Sequence, residues 1–367
     1  MDTRLFRNFD ITLLLITLAI IGFGCAMIYS ASQGGRLAVG YVEKQIVFAL
    51  VGIALAIVVA SIDHVHLARY SGKLYAICLG LLLAVNFLGN SSKGAQRWIS
   101  IGGFQFQPSE LAKFIMIIAL AAFLVKRLEE IRTFKTFVAS FAYLAVPMLL
   151  VFKQPDLGTS LVLLAVWITM VFIMGTDIRN IAIFVGAAIL LATLAWTIPG
   201  VMKDYQKERV LTFVYPERDP QGSGYHVKQA RIAIGSGQFT GKGFMKGTQR
   251  GLNFIPEQHT DFIFTVVGEE TGFVGAAALV LLYTALIWRG LNIMFVTEDI
   301  TGRAMAAGVV GMLGFHASVN LGMTLGMLPV TGVPLPMFSY GGTSLVTSLM
   351  CIGLLEGISM RRHRINF

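Results

Sequence analysis

Charge is scarce in this chain: 13% of its 367 residues are charged, against 55% hydrophobic residues. The mean hydropathy is +0.72. This balance excludes a soluble globule, and apolar runs repeatedly reach the roughly 20 residues that cross a bilayer. Cysteine is scarcer still. Cys25, Cys78 and Cys351 each sit inside an apolar run with no paired spacing, so they read as small core residues, neither disulfides nor metal ligands. No Gly-x-x-x-x-Gly-Lys phosphate loop occurs, which discards ATP-driven chemistry. The net charge of +9 comes without a basic stripe interleaved with aromatics on a soluble segment. Nucleic acid is therefore not an expected partner; membrane anchors and an anionic lipid substrate account for the excess. No composition shift marks a second folded domain. Residues 1–367 read as one all-α, polytopic membrane domain.

What is present is a series of ten spans. They fall at 11–29, about 45–62, about 74–88 and about 108–125, then at runs ending at 152, 175 and 199–200. The last three cover 261 to about 288, a run reaching about 327, and the segment before the basic tail 361–364. Ser30-Ala31-Ser32 resembles a signal-peptidase site, but the run before it is long and further spans follow, so it reads as a retained anchor. The long hydrophilic segment is 201–260, and a Pro/Gly-rich re-entry, 328–342, precedes the tenth span. Of the 29 Lys and Arg residues, 14 lie in the two tails and the loops on their side, five in the short loops opposite, nine in the long loop, and one, Lys113, within a span. Short loops set orientation while a loop of this length is largely exempt. Both termini are thus expected in the cytoplasm, with 201–260 and any chemistry outside.

The polar residues left in so apolar a chain concentrate toward that outer side. Asp261 stands where the loop meets the eighth span. It either caps the helix or, ionised at the surface, reaches a substrate whose tail lies in lipid. Glu269 and Glu270 follow, expected roughly 12–14 Å deeper at 1.5 Å per residue, where charges mark a polar path or a paired network. Arg97-Trp98 reads as an interfacial anchor or a ligand contact. Gln107-Pro108-Ser109-Glu110 opens the fourth span, with Glu110 and Lys113 three apart on one face. That pair is either structural or holds Lys113 ready for a phosphate. Asp156 breaks two apolar runs as a cap or a site residue. Loop glycines at 235, 237, 241, 243 and 247 offer N–H groups to a phosphate, and 225–234 permits a short surface helix. The run 332–344, with Ser339, is irregular backbone of the kind that lines a polar cavity.

Five motifs in order carry a resemblance that covers essentially the whole chain. They are Gly94-Ala95-Gln96-Arg97-Trp98, Gln107-Pro108-Ser109-Glu110, Gln154-Pro155-Asp156-Leu157-Gly158-Thr159, Pro256-Glu257-Gln258-His259-Thr260-Asp261-Phe262-Ile263-Phe264 and the run 332–344. On these the chain resembles the SEDS family (shape, elongation, division and sporulation). Gln96 and Gly247-Thr248-Gln249 are more like its rod-shape branch than its division branch. The resemblance implies a peptidoglycan glycosyltransferase in the bacterial inner membrane that polymerises lipid II beside a class B penicillin-binding protein. It implies Asp261 as general base, or as acceptor-orienting group or ligand of a divalent cation, magnesium or manganese. Arg97, Lys113 and Arg209 would face the departing pyrophosphate. Trp98, Gln107, Glu110, Asp156, His259, Thr260 and Ser339 would complete the substrate site. A lipid II transporter and a non-catalytic scaffold of the synthase are the competing classes.

Overall fold

The computed structural model of the chain describes residues 8–32, 36–92, 95–101, 104–198, 207–208, 211–213, 215, 222–248 and 258–362. Among them the helices are α1 (Ile11–Ala31), α2 (Arg36–Ser61), α3 (His64–Arg69), α4 (Ser71–Leu88), α5 (Pro108–Val125), α6 (Phe134–Lys153), α7 (Leu157–Ile173), α8 (Ile178–Thr197), α9 (Ser223–Ser236), α10 (Ile263–Val296), α11 (Ile300–Thr324) and α12 (Gly342–Met360). Eight are at least 18 residues long and apolar enough to cross a membrane, and shorter apolar helices at Ser71–Val85 and Leu157–Ile173 stand where the third and sixth spans are expected.

Acids start these helices, because the first N–H groups of a helix lack partners within it. Asp10 accepts from Leu13 N at 3.0 Å, Asp63 from Val65 N at 2.9 Å, Asp177 from Arg179 N at 3.0 Å and Asp299 from Gly302 N at 2.8 Å. Several of the same groups lock one end of the bundle. Asp10 Oδ2 receives Arg289 Nε at 2.7 Å, Asp10 N donates to Glu356 at 3.1 Å, and His64 pairs with Asp299 at 3.0 Å. Arg361 donates to Ala60 O at 2.8 Å. The start of α1, the end of α12 and the turns after α2 and α10 therefore meet at one end. The starts of α5, α7 and α12 meet at the other.

Helices α5, α11 and α12 are the most buried, whereas α8 lies almost wholly exposed on the outside. Small residues let the inner helices approach. A Cβ on Gly353 would come within 2.3 Å of Ala56 O, and one on Gly308 within 3.0 Å of Ile117. The expected re-entry is seen. Val333, Leu335, Met337 and Phe338 are buried, Tyr283 Oη donates to Pro336 O at 2.5 Å, and Phe338 O lies 2.6 Å from where a Gly24 Cβ would stand, within α1.

Four local expectations are corrected. The second span begins at Arg36 rather than near 45. The loop 89–107 carries a small antiparallel sheet, β1 (Asn90–Ser92), β2 (Ala95–Ile101) and β3 (Phe104–Phe106), in the order β1-β2-β3. The eighth span starts at Ile263, so Asp261 precedes the helix, whose N-cap is Phe262 with no side-chain capping bond. Gly272, at φ 65 and ψ −159, breaks α10. Glu269 and Glu270 thus stand near the end of a short first piece, 263–271, rather than within one continuous span.

Candidate active site

The starts of α5 and α7 meet through Asp156. Its carboxylate accepts from Thr159 N at 3.1 Å, Thr159 Oγ1 at 2.9 Å and Gln107 Nε2 at 3.1 Å. Capping and interhelical tying are both its work. Arg97, on β2, donates to Gln154 O at 2.9 Å and to Pro155 O, and lies 3.9 Å from Asp156. About a third of its side chain, 29%, stays exposed. Trp98, paired in register with Asn90, is partly exposed on the same strand.

One turn into α5, Lys113 Nζ stands 2.8 Å from each oxygen of Glu110. Both residues are buried, Lys113 to 2% exposure. The ammonium has a second partner that sequence reasoning missed: His316 Nε2 on α11, at 3.1 Å. The other ring nitrogen, Nδ1, is 3.1 Å from Pro334 O. One turn further, Asn320 Nδ2 donates to Val333 O at 2.8 Å and to Asp261 O at 2.9 Å. The signal available in the sequence was a His and an Asn four apart in an apolar span, where polar groups need partners.

Asp261 lies in the turn before α10, and its Oδ2 would be 3.4 Å from a Cβ on Gly332, which has φ 72. Gly158, at the start of α7, lies against Val333 and Thr331 on another side of the same segment. Segment 331–334 therefore touches Asp261, α7 and α11 at once. His259 packs between Tyr41 and Tyr340, with ring centroids 4.9 and 5.5 Å away, and its carbonyl accepts from Tyr340 N at 2.9 Å. Thr260 shares its turn. Ser339 is used inside the re-entry: its hydroxyl accepts from Leu335 N at 2.9 Å and its carbonyl from Gln45 Nε2 at 3.1 Å. Arg209 and Glu257 lie outside the described residues.

Glu269 and Glu270 prove to be a network. Glu269 Oε1 receives Lys242 Nζ at 2.7 Å, Thr248 N at 2.8 Å and Thr248 Oγ1 at 2.9 Å. Glu270 receives Ser30 Oγ at 2.6 Å and Met245 N at 3.0 Å. Four of the loop glycines, at 237, 241, 243 and 247, pack against this clamp. Gly243 N donates to Glu270 O at 3.0 Å, and Cβ atoms on Gly237 and Gly241 would come within 1.9 and 2.1 Å of the Gly268 and Glu270 carbonyls. Helix α9, expected over 225–234, spans Ser223–Ser236 and packs on the same piece through Ile234 and Gly268.

Fold and site together define a multi-pass helical membrane protein whose polar groups gather around a buried re-entrant segment at one end of the bundle. The chain belongs to the FtsW/RodA/SpoVE family of cell cycle proteins, the SEDS family, whose profile matches residues 11–364. It is 40% identical to the peptidoglycan glycosyltransferase MrdB of Escherichia coli K12, over 98% of this chain and 95% of the relative. A chain from a peptidoglycan synthase complex that coordinates polymerization and crosslinking superposes with TM-score 0.82 at 34% identity, covering 97% of this chain and 99% of that one. The rod shape determining protein RodA of Thermus thermophilus gives TM-score 0.71 at 29% identity, over 97% and 98%. Bacterial relatives and apolar helices alike make this a multi-pass bacterial membrane protein.

Proposed function

We propose that the chain is a peptidoglycan glycosyltransferase that polymerises lipid II at the end of the bundle where α5, α7, the re-entrant segment and Asp261 converge. The observation that carries this reading is Asp261 itself. It stands two residues before α10, whose N-cap position is Phe262, its main chain is held by Asn320, and its carboxylate lies against Gly332. In this reaction the 4-hydroxyl of one GlcNAc attacks the anomeric carbon of the next MurNAc. The new C–O bond forms as the bond to the lipid pyrophosphate breaks, with inversion, and the hydroxyl proton passes to the Asp261 carboxylate. Positioned proton transfer of this kind contributes about 10²–10⁴-fold. Charge building on the leaving pyrophosphate is met by the exposed part of Arg97, with the buried Lys113 cation beneath.

A divalent cation fits this arrangement only in part. Among the described residues no three His, Cys, Asp or Glu side chains cluster as a metal cage, but magnesium binds through one or two carboxylates plus substrate phosphates and water. Asp261 would be the protein ligand, and the cation would supply countercharge to the pyrophosphate. The charge distribution supports cytoplasmic termini and an outward-facing Asp261. The synthase-complex neighbour supports a class B penicillin-binding protein as partner. The test is incubation of purified protein, with and without that partner, with labelled lipid II, followed by separation of glycan products. Polymer is expected; none, even with the partner, would leave a transporter or a scaffold.

A further inference from the structure

The re-entrant segment 332–334 is held from α11 by two side chains that the transfer chemistry above does not use. His316 is 3% exposed and Asn320 is fully buried. They lie four residues apart, hence on one face of α11. Hydrogen-bond logic fixes the state of each. A lysine ammonium has donors only, so His316 Nε2, 3.1 Å from Lys113 Nζ, must be an accepting lone pair. The ring proton then sits on Nδ1, where it donates to Pro334 O at 3.1 Å. A doubly protonated ring would set two cations against each other, so the imidazole is neutral. Asn320 faces two carbonyls, Val333 O and Asp261 O, which only accept. Its Oδ1 has no protein partner among the described residues. The amide is there for its two N–H groups.

We infer that His316 and Asn320 are positioning residues of the glycosyltransferase site. His316 ties the Lys113–Glu110 pair to Pro334, and Asn320 ties Val333 to the main chain of Asp261. Gly332, against which the Asp261 carboxylate rests, directly precedes the Val333 rung. The two side chains thus set the separation between the base and the buried Lys113 cation beneath the site, without touching substrate. This rests on the reading of Asp261 as the base.

The test compares lipid II polymerisation by the full-length chain carrying His316→Asn, His316→Gln or Asn320→Ala with wild type and Asp261→Asn. The Asn side chain keeps a donor near Pro334 O but loses the acceptor for Lys113; the Gln side chain does the reverse. Misplacement of reacting groups costs up to about 100-fold, so kcat per folded molecule should fall about 10- to 100-fold in each variant. KM for lipid II should stay within about threefold, because binding is shared by many groups elsewhere. His316→Asn combined with Asn320→Ala should be little worse than the poorer single variant, since both hold one segment. A merely structural role would lower the yield of folded protein and leave kcat per folded molecule within about twofold of wild type, and that result overturns the proposal.

Should a variant fail to fold, nitrogen NMR of the wild-type imidazole, recognised by its coupling to the Lys113 ammonium, decides the geometry. Nδ1 protonated and Nε2 bare is expected; a protonated Nε2 overturns the link to Lys113. Inactive wild type would sink the transferase reading, and this inference with it. Active wild type, inactive Asp261→Asn and unimpaired His316 and Asn320 variants would sink this inference alone.

Discussion

The Glu110–Lys113 pair separates structure from chemistry, because it is buried, tightly paired and next to the site. In Lys113→Met the Glu110 carboxylate, 5% exposed, loses the cation 2.8 Å away. Breaking a buried ion pair from one side costs about 3–5 kcal/mol, since an uncompensated charge remains. Replacing both members with apolar residues removes that charge, and such swaps are commonly neutral or stabilising by about 1–4 kcal/mol. Here the double variant Glu110→Leu with Lys113→Met still strands His316 Nε2, at about 1–3 kcal/mol for an unmet polar group. It should therefore regain much of the stability lost in Lys113→Met but not all of it. Activity should not return with it, because the buried cation beneath the leaving group is still missing; about 10²–10³-fold, the cost of losing a direct contact, is the upper bound on the loss. Thermal unfolding in detergent reads the first quantity, and glycan product per folded molecule the second. A double variant that regains activity along with stability would make Lys113 purely structural. One no more stable than Lys113→Met would refute the ion-pair reasoning. Charge reversal is a poorer test, because a carboxylate at 113 would face the His316 lone pair.

Arg97→Lys should lower both stability and turnover. A planar fork spans the Gln154 and Pro155 carbonyls, whereas an ammonium serves them as a single point; unimpaired turnover would show that only the charge matters. Gly272→Ala should abolish the folded state or the activity. The residue sits at φ 65, and its Cβ would fall 2.3 Å from Gly241 N and 2.7 Å from Phe239 O, backbone atoms that cannot step aside. Size-exclusion profile and glycan yield check this, and a monodisperse, active Gly272→Ala would mean that the clamp around Glu269 and Glu270 is dispensable.

Spans and polar motifs were legible in the sequence because each rests on a local rule. Apolar length gave the helices, and irregular Pro/Gly backbone within an apolar setting gave the re-entry at 328–342. Of the two capping candidates, Asp156 is a cap, while at Asp261 the N-cap is Phe262. The Glu110–Lys113 pair followed from helical spacing alone. What stayed hidden depended on contacts distant in sequence. The break at Gly272 is invisible because a single glycine is tolerated inside a helical run; only the approach of Gly241 and Phe239 demands it. The same approach explains the glycines at 237, 241, 243 and 247, which reach the segment around Glu269 and Glu270. His316 and Asn320 passed unnoticed because their partners, Lys113, Pro334, Val333 and Asp261, come from three other parts of the chain. The strands at 90–106 are only three to seven residues long, too short a pattern to stand out from a loop.

The central claim is that Asp261 takes the acceptor proton or holds the cation, and one measurement addresses it: glycan polymerised from labelled lipid II by purified Asp261→Asn, normalised to folded protein. The substitution is nearly isosteric, and Asn320 bonds the main chain of residue 261 rather than its side chain, so folding and membrane insertion should be retained. Product should fall by about 10²–10⁴-fold, the usual weight of positioned proton transfer. A folded Asp261→Asn protein that polymerises at close to the wild-type rate would contradict both roles at once.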